Sequence, residues 1–232
     1  MRIPIQAAGG PLESGEDPFA TRRLGMVEQQ IRRRGIREAV VLAAMEEVPR
    51  HAFVPEELRS RAYDDVPLPI GGGQTISQPY IVAAMTAALR LRNSDRVLDV
   101  GTGCGYQAAV LARIAAVVYS VEVRQDLGAA AAERLARLGY SNVHVHCGDG
   151  TLGLPECAPF DAILVAAAAP DVPQPLVSQL AVGGRLIVPI GESDRQRLRL
   201  LIRNEQSVEA MTLEACQFVP LIGRHGWRET LP

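Results

Sequence analysis

Two groups of residues in this chain are spaced to do chemistry. The first is a set of acids beside glycines. Asp99 ends the apolar run Val97–Val100, and glycines follow at alternate positions, Gly101, Gly103 and Gly105, with Thr102 between the first two. Glu122 closes the next apolar run, Val117–Val121, about twenty residues after the first glycine, where an acid can bind ribose hydroxyls. Asp149 lies between Gly148 and Gly150. Glycines remove side chains so that a ligand can approach the backbone at a helix N-terminus. Asp149 is placed to reach a base or an exocyclic amine, or simply to stabilise its own turn. The second group carries hydroxyls: Thr75-Ile76-Ser77-Gln78, just after Gly71-Gly72-Gly73. A flexible glycine run beside hydroxyls suits a binding loop. Ser77 or Gln78 could equally cap the helix that Pro79 opens.

The spacing narrows the ligand. A dinucleotide fingerprint needs its third glycine at position 106, and Tyr106 stands there. A P-loop needs Gly-Lys-Ser/Thr, and the chain has no lysine. The pattern acid-x-Gly-x-Gly-x-Gly instead resembles the first motif of class I S-adenosylmethionine-dependent methyltransferases. That cofactor carries an amino group and a sulfonium, so an acid near the turn makes electrostatic sense. This motif and the placement of the acids at successive strand ends assign cofactor binding to Asp99, Gly101, Thr102, Gly103, Gly105, Glu122, Asp149 and Gly150.

These residues need elements to hold them. From residue 93 to 200, short β-branched runs alternate with Ala- and Leu-rich segments. Strands are expected at 96–100, 117–122, 143–147, 161–166 and 184–190, and helices at 106–114, 125–138 and 173–181. This alternation predicts an α/β fold, a Rossmann-like doubly wound and mostly parallel sheet with right-handed crossovers. An N-terminal helical extension precedes it: helices at 21–34, 37–48 and 55–61, a loop at 63–74, and a helix from Pro79 to about Leu91. A C-terminal β extension follows, with a hairpin of 198–202 and 208–213 and a further strand at 216–221. Residues 1–20 read as a mobile leader. Residues 21–92 carry the helices and substrate loop, and form one compact unit with the core at 93–232.

Composition excludes some partners. Of 232 residues, 47% are hydrophobic and 22% charged, ordinary for a globular protein. The net charge of -2 and an aromatic content of 4% give no basic, aromatic-rich face for nucleic acid. No apolar run reaches a bilayer span, so no membrane partner is expected. The four cysteines have no CxxC pairing, which fits a reduced cytoplasmic protein. His144 and His146 share a strand face, but no further ligand pattern accompanies them, and no metal is expected.

One segment is more specific than any glycine turn: Gly73-Gln74-Thr75-Ile76-Ser77-Gln78-Pro79-Tyr80-Ile81. With Val48-Pro49-Arg50-His51-Ala52-Phe53-Val54-Pro55, Gly101-Thr102-Gly103-Cys104-Gly105-Tyr106 and Gly148-Asp149-Gly150, it resembles the bacterial protein-L-isoaspartate O-methyltransferases. The resemblance runs from about Leu24 to Gly223. It departs where the family often has Glu at Gly72 and Asp99, Ser at Cys104 and Thr at Ala166. The family implies methyl transfer from S-adenosylmethionine to the free carboxylate of L-isoaspartyl residues in damaged proteins and peptides. It implies Ser77 as the catalytic residue and Thr75, Ile76, Ser77 and Gln78 as substrate contacts. A monomer is expected, with an oligomer left open. A methyltransferase of a small molecule or nucleic acid, and a silent cofactor-binding module, are the alternatives.

Overall fold

The computed structural model describes residues 17–192 and 195–228. The expected leader falls mostly outside them. Its described end packs on the protein, with the Phe19 ring stacked on His51 at 4.2 Å between centroids.

Seven strands form the central sheet: β3 (Arg96–Val100), β4 (Val117–Glu122), β5 (Val143–Cys147), β6 (Phe160–Val165), β7 (Leu180–Ile190), β8 (Gln196–Arg203) and β9 (Val208–Cys216). Across the sheet they lie in the order β5-β4-β3-β6-β7-β8-β9. Neighbours from β5 to β7 pair in parallel, and β8 and β9 add antiparallel. The chain leaves β3 for β4 on one side and later returns to β6 on the other. That reversal opens a crevice at the carboxyl ends of these strands, where ligands bind in open α/β sheets.

Strand alternation sorts the apolar side chains into two cores. Val97, Ala162 and Leu164 face one core, while Leu98, Val100, Ile163 and Val165 face the other. The first core is continuous with the N-terminal helices α1 (Ala20–Met26) and α2 (Ala39–Glu47), and with α3 (Pro79–Ala88) and α4 (Tyr106–Ala112). Burying about 25 cal/mol per Å² of apolar surface holds these layers together. The helix α5 (Gln125–Arg137) leads to β5, and α6 (Gln174–Ser178) leads to β7.

Four expectations are corrected. The loop before Ser77 is a small hairpin, β1 (Leu68–Gly71) with β2 (Gln74–Ile76), whose turn is the glycine run. The short helix expected at 55–61 is present as Glu56–Arg61 but is of 3₁₀ rather than α type. Helix α6 stops at Ser178 because β7 begins early, at Leu180. A bulge between Phe160↔Leu180 and Ala162↔Arg185 then absorbs Gly183 and Gly184. Residues 216–221 are not a further strand. Beyond Cys216 the segment makes only an isolated bridge, Ala168↔Pro220, because it crosses the strand ends rather than running beside β9.

Candidate functional site

The turn after β3 is held open by its backbone. Gly101 and Gly103 have φ of 94° and 52°, a region that side-chain-bearing residues rarely enter. The Gly101 amide donates to the Val121 carbonyl at 2.8 Å, which fixes the turn to β4. Glu122 sits directly beside it. Its Oε2 accepts from the Gly103 amide at 2.7 Å and its Oε1 from the Arg124 amide at 3.1 Å. The carboxylate is aimed by backbone donors and keeps lone pairs for a ligand.

Gly101, Gly103, Glu122 and Gly150 line one cleft together with Gln74, Thr75, Arg124, Ala166 and the stretch 219–222. A methyl group at Gly150 would stand 2.6 Å from Val100 Cγ1, so a side chain there would push into the strand beneath.

Asp99, Thr102, Gly105 and Asp149 are not in this wall. Asp99 is fully buried. Its Oδ2 accepts from the Ser120 hydroxyl at 2.7 Å, and Thr102 meets that hydroxyl at 2.6 Å. Its Oδ1 has no hydrogen-bond partner among the described residues. Burial pushes the Asp99 carboxyl up to about 7, and the nearby Glu122 charge acts in the same direction against the Ser120 hydroxyl. Gly105 makes room for α5, since a methyl there would come within 3.1 Å of Leu135 Cδ1. Asp149 stabilises its own turn: Oδ1 accepts from the Thr151 amide and hydroxyl at 2.9 and 2.6 Å, and Oδ2 from the Arg224 amide at 2.7 Å.

A second cleft lies alongside. Thr75, Ser77 and Gln78 line it with Arg34, Tyr80, Ala166 and the segment 214–219. Ile76 turns the other way into the core, only 3% exposed, as alternation along β2 dictates. The helix α3 starts with Pro79, and its N-cap residue Gln78 makes no side-chain cap bond. Gln78 Nε2 instead donates to the Asp65 carbonyl at 3.0 Å. The Ser77 hydroxyl meets no partner among the described residues. The Arg34 guanidinium stacks 3.3 Å from the Tyr80 ring centroid and donates to Asp65 Oδ2 at 2.9 Å. Burial raises the Tyr80 phenol, and Glu214 adds to the rise. Thr75, Ala166 and Val219 belong to both clefts, so the two lie side by side.

A model of the protein-L-isoaspartate(D-aspartate) O-methyltransferase family matches residues 21–226. The chain belongs to that family. The protein-L-isoaspartate O-methyltransferase of Methanoculleus marisnigri is 55% identical over 212 residues, covering 91% of this chain and 96% of the relative. Protein-L-isoaspartate O-methyltransferase 2 of Pelobacter propionicus is 56% identical over 208 residues, covering 89% and 92%. A solved protein-L-isoaspartate O-methyltransferase superposes with TM-score 0.79 at 31% identity, over 89% of this chain and 67% of that one. A Plasmodium falciparum chain solved with S-adenosyl-L-homocysteine superposes with TM-score 0.75 at 28% identity, over 86% and 98%.

The methyltransferase has cleft residues to which the motifs gave no site role: Arg34, Gln74, Tyr80, Arg124, Glu214 and the stretch 216–222. The apolar run Val219–Ile222, ending in glycine, was the available signal for the last of these, but it reads as a strand. Among the described residues no group of three or more His, Cys, Asp or Glu gathers to hold a metal. His144 and His146 lie against Tyr119 instead, with ring centroids 5.5 and 6.2 Å away.

Proposed function

We propose that this protein repairs aged proteins by transferring a methyl group from S-adenosylmethionine to the free carboxylate of an L-isoaspartyl residue. The observation that carries the reading is the wall shared by the two clefts, Thr75, Ala166 and Val219. It lets a donor in one cleft face an acceptor in the other. The first cleft fits the cofactor: a glycine-lined backbone, a carboxylate with free lone pairs at Glu122, and the unpartnered Oδ1 of Asp99 behind it. Gly101, Gly103, Glu122 and Gly150 would hold it, with Asp99, Thr102, Gly105 and Asp149 supporting them. When bound, the cofactor supplies an electrophilic methyl carbon on a sulfonium.

The chain's own task is to hold the acceptor. An isoaspartyl carboxylate is already ionised at neutral pH, so no general base is needed. None of the described residues lining either cleft is histidine. The unpaired Ser77 hydroxyl donates to the substrate carboxylate, while Thr75 and Gln78 flank it and Ile76 anchors the strand from below. Alignment of oxygen, methyl carbon and sulfur then carries the rate, and water exclusion assists because opposite charges merge.

We further place the enzyme in the cytoplasm as a monomer without nucleic-acid partners, with residues 21–92 and the core acting as one unit. The four cysteines are free, and no helix among the described residues is long and apolar enough to cross a membrane. The deciding experiment offers paired peptides, one with L-isoaspartate and one with L-aspartate, and follows labelled methyl as base-labile ester. The two carboxylates have similar reactivity, but the extra backbone methylene displaces one of them. A displacement of about 1 Å can cost about a hundredfold in rate. The isoaspartyl peptide is expected to be labelled and its partner essentially not. Equal labelling of both, or of neither while a nucleic acid is methylated, rejects the reading.

A further inference from the structure

The segment after β9 has a physical role that the motifs do not assign. It runs parallel to the stretch that follows β6, bridging Ala168 and Pro220. The Ala168 amide donates to the Val219 carbonyl at 2.8 Å, and the Leu221 amide donates to the Ala168 carbonyl at 2.7 Å. In this position Val219, Pro220, Leu221 and Ile222 form one wall of the cofactor cleft. Further bonds add to those of the strand end. The chain turns at residues 223–226 and returns to donate from the Trp227 amide to the Leu221 carbonyl at 2.7 Å, while the Trp227 indole N–H donates to the Ala168 carbonyl at 3.0 Å. The turn itself is tied to Asp149 and Thr151. Asp149 Oδ2 accepts from the Arg224 amide at 2.7 Å, and Thr151 Oγ1 accepts from the His225 amide at 3.1 Å. Gly223 lies so close that a methyl group on it would collide with the Asp149 carboxylate.

We infer that Asp149 is a positioning residue that latches the segment Val219–Trp227 across the cofactor cleft. The inference rests on the cofactor reading of that cleft. A carboxylate that accepts a backbone amide makes one of the stronger hydrogen bonds available to a loop. The latch lies 75 residues from its partner in sequence, so it joins two edges of the cleft that nothing local connects. A ligand that contacts the wall favours the closed segment, and the closed segment tightens the ligand by the same factor. Asp149 thereby acts on affinity through the wall it holds.

The latch can be read without turnover. Arg224 and His225 are exposed at the turn, and trypsin cuts the bond between them only when the turn opens. Under native conditions cleavage then reports the open population. Release of residues 225–232, or of 225–228 where Arg228 is cut as well, is followed by mass spectrometry, with and without S-adenosylhomocysteine, beside calorimetric affinity and thermal melting. In the wild type, saturating S-adenosylhomocysteine is expected to slow this cut roughly tenfold or more. Asp149→Ala and Gly223→Ala are each expected to be cut roughly tenfold faster without ligand and to bind it roughly tenfold more weakly, since each loses the charge-assisted bond. Gly223 is outside the cleft wall, so its effect on affinity must pass through the segment. Trp227→Phe keeps the ring and loses the indole donor, and is expected to fall between these variants and the wild type. Gly223→Ala that is cut faster but binds S-adenosylhomocysteine as the wild type does would overturn the inference. So would Asp149→Ala that binds weakly while Arg224 stays as resistant as in the wild type. If the wild type fails to bind S-adenosylhomocysteine, the cofactor reading falls, and the ligand-free cleavage rates still decide whether Asp149 latches the turn.

Discussion

Ser77 and Glu122 stand at the two clefts in opposite states of preparation. Glu122 is already engaged: two backbone amides hold its oxygens in place, so its orientation is set before any ligand arrives. Ser77 is unengaged. Its hydroxyl lines the second cleft and caps nothing, because α3 starts on Pro79 without a side-chain cap. A hydroxyl left free at a cleft wall costs little while water solvates it, and it is available to a carboxylate that displaces the water. Ser77→Ala should therefore lower turnover on the isoaspartyl peptide by roughly tenfold to a hundredfold, the loss of one hydrogen bond to a charged group at about 1.5–3 kcal/mol. Calorimetric affinity for S-adenosylhomocysteine and the melting temperature should not move. A lost cap would show the reverse pattern, with stability down by about 1 kcal/mol and turnover kept.

The hairpin β1–β2 and the glycine turn after β3 reach the site on separate elements, and each leads into a helix, α3 and α4 respectively. The contact between these two helices contains a buried polar pair. Gln107 Nε2 donates to Thr86 Oγ1 at 3.1 Å, and that hydroxyl donates to the Val82 carbonyl at 2.8 Å. Thr86→Val keeps the shape and orphans the Gln107 amide, which should cost about 1–3 kcal/mol in urea unfolding. Adding Gln107→Leu removes the orphan and should recover most of that loss. A double variant as unstable as the sum of its parts would show that the pair is not coupled. Neither residue stands out in the sequence, because a polar residue on an Ala-rich helix reads as solvent-facing. The strands β3, β4 and β5 were legible to the residue, since each is a short β-branched run between turn signals. The hairpin was not, because Pro69 and three glycines mask strands of only four and three residues. The site divides in the same way. Glycines and acids announce themselves by type, whereas the wall at Val219–Ile222 is ordinary apolar sequence that gains its role from crossing the strand ends.

The whole molecule packs two cores against one sheet and buries an arginine and an aspartate completely, neither in an ion pair among the described residues. The Arg50 guanidinium is fully buried over the Tyr106 ring, with its centre 4.9 Å from the ring centroid, and burial lowers its pKa. Asp99 lies in the sheet, 0% exposed, and burial raises it to about 7. In the unfolded chain an aspartate titrates near ~3.9. Between these two values the folded protein keeps a proton that the unfolded chain has released. Stability must therefore fall as pH rises through that window, by at most about 1.4 kcal/mol per pH unit for one group. The contribution is complete below the unfolded value and gone once pH passes the folded one. Asp99→Asn removes the titration while keeping the shape and an acceptor for Ser120. It carries its own constant cost, because the amide nitrogen or oxygen at the Oδ1 position has no partner there. The informative quantity is the change in the stability gap between variant and wild type. In the absence of cofactor, urea unfolding at pH 5 and pH 8 should show the gap moving toward the asparagine variant at the higher pH. The wild type alone carries an ionised carboxylate in the sheet at that pH. A gap that stays constant from pH 5 to pH 8 would mean that Asp99 titrates at its ordinary value, with water reaching it from the cofactor cleft.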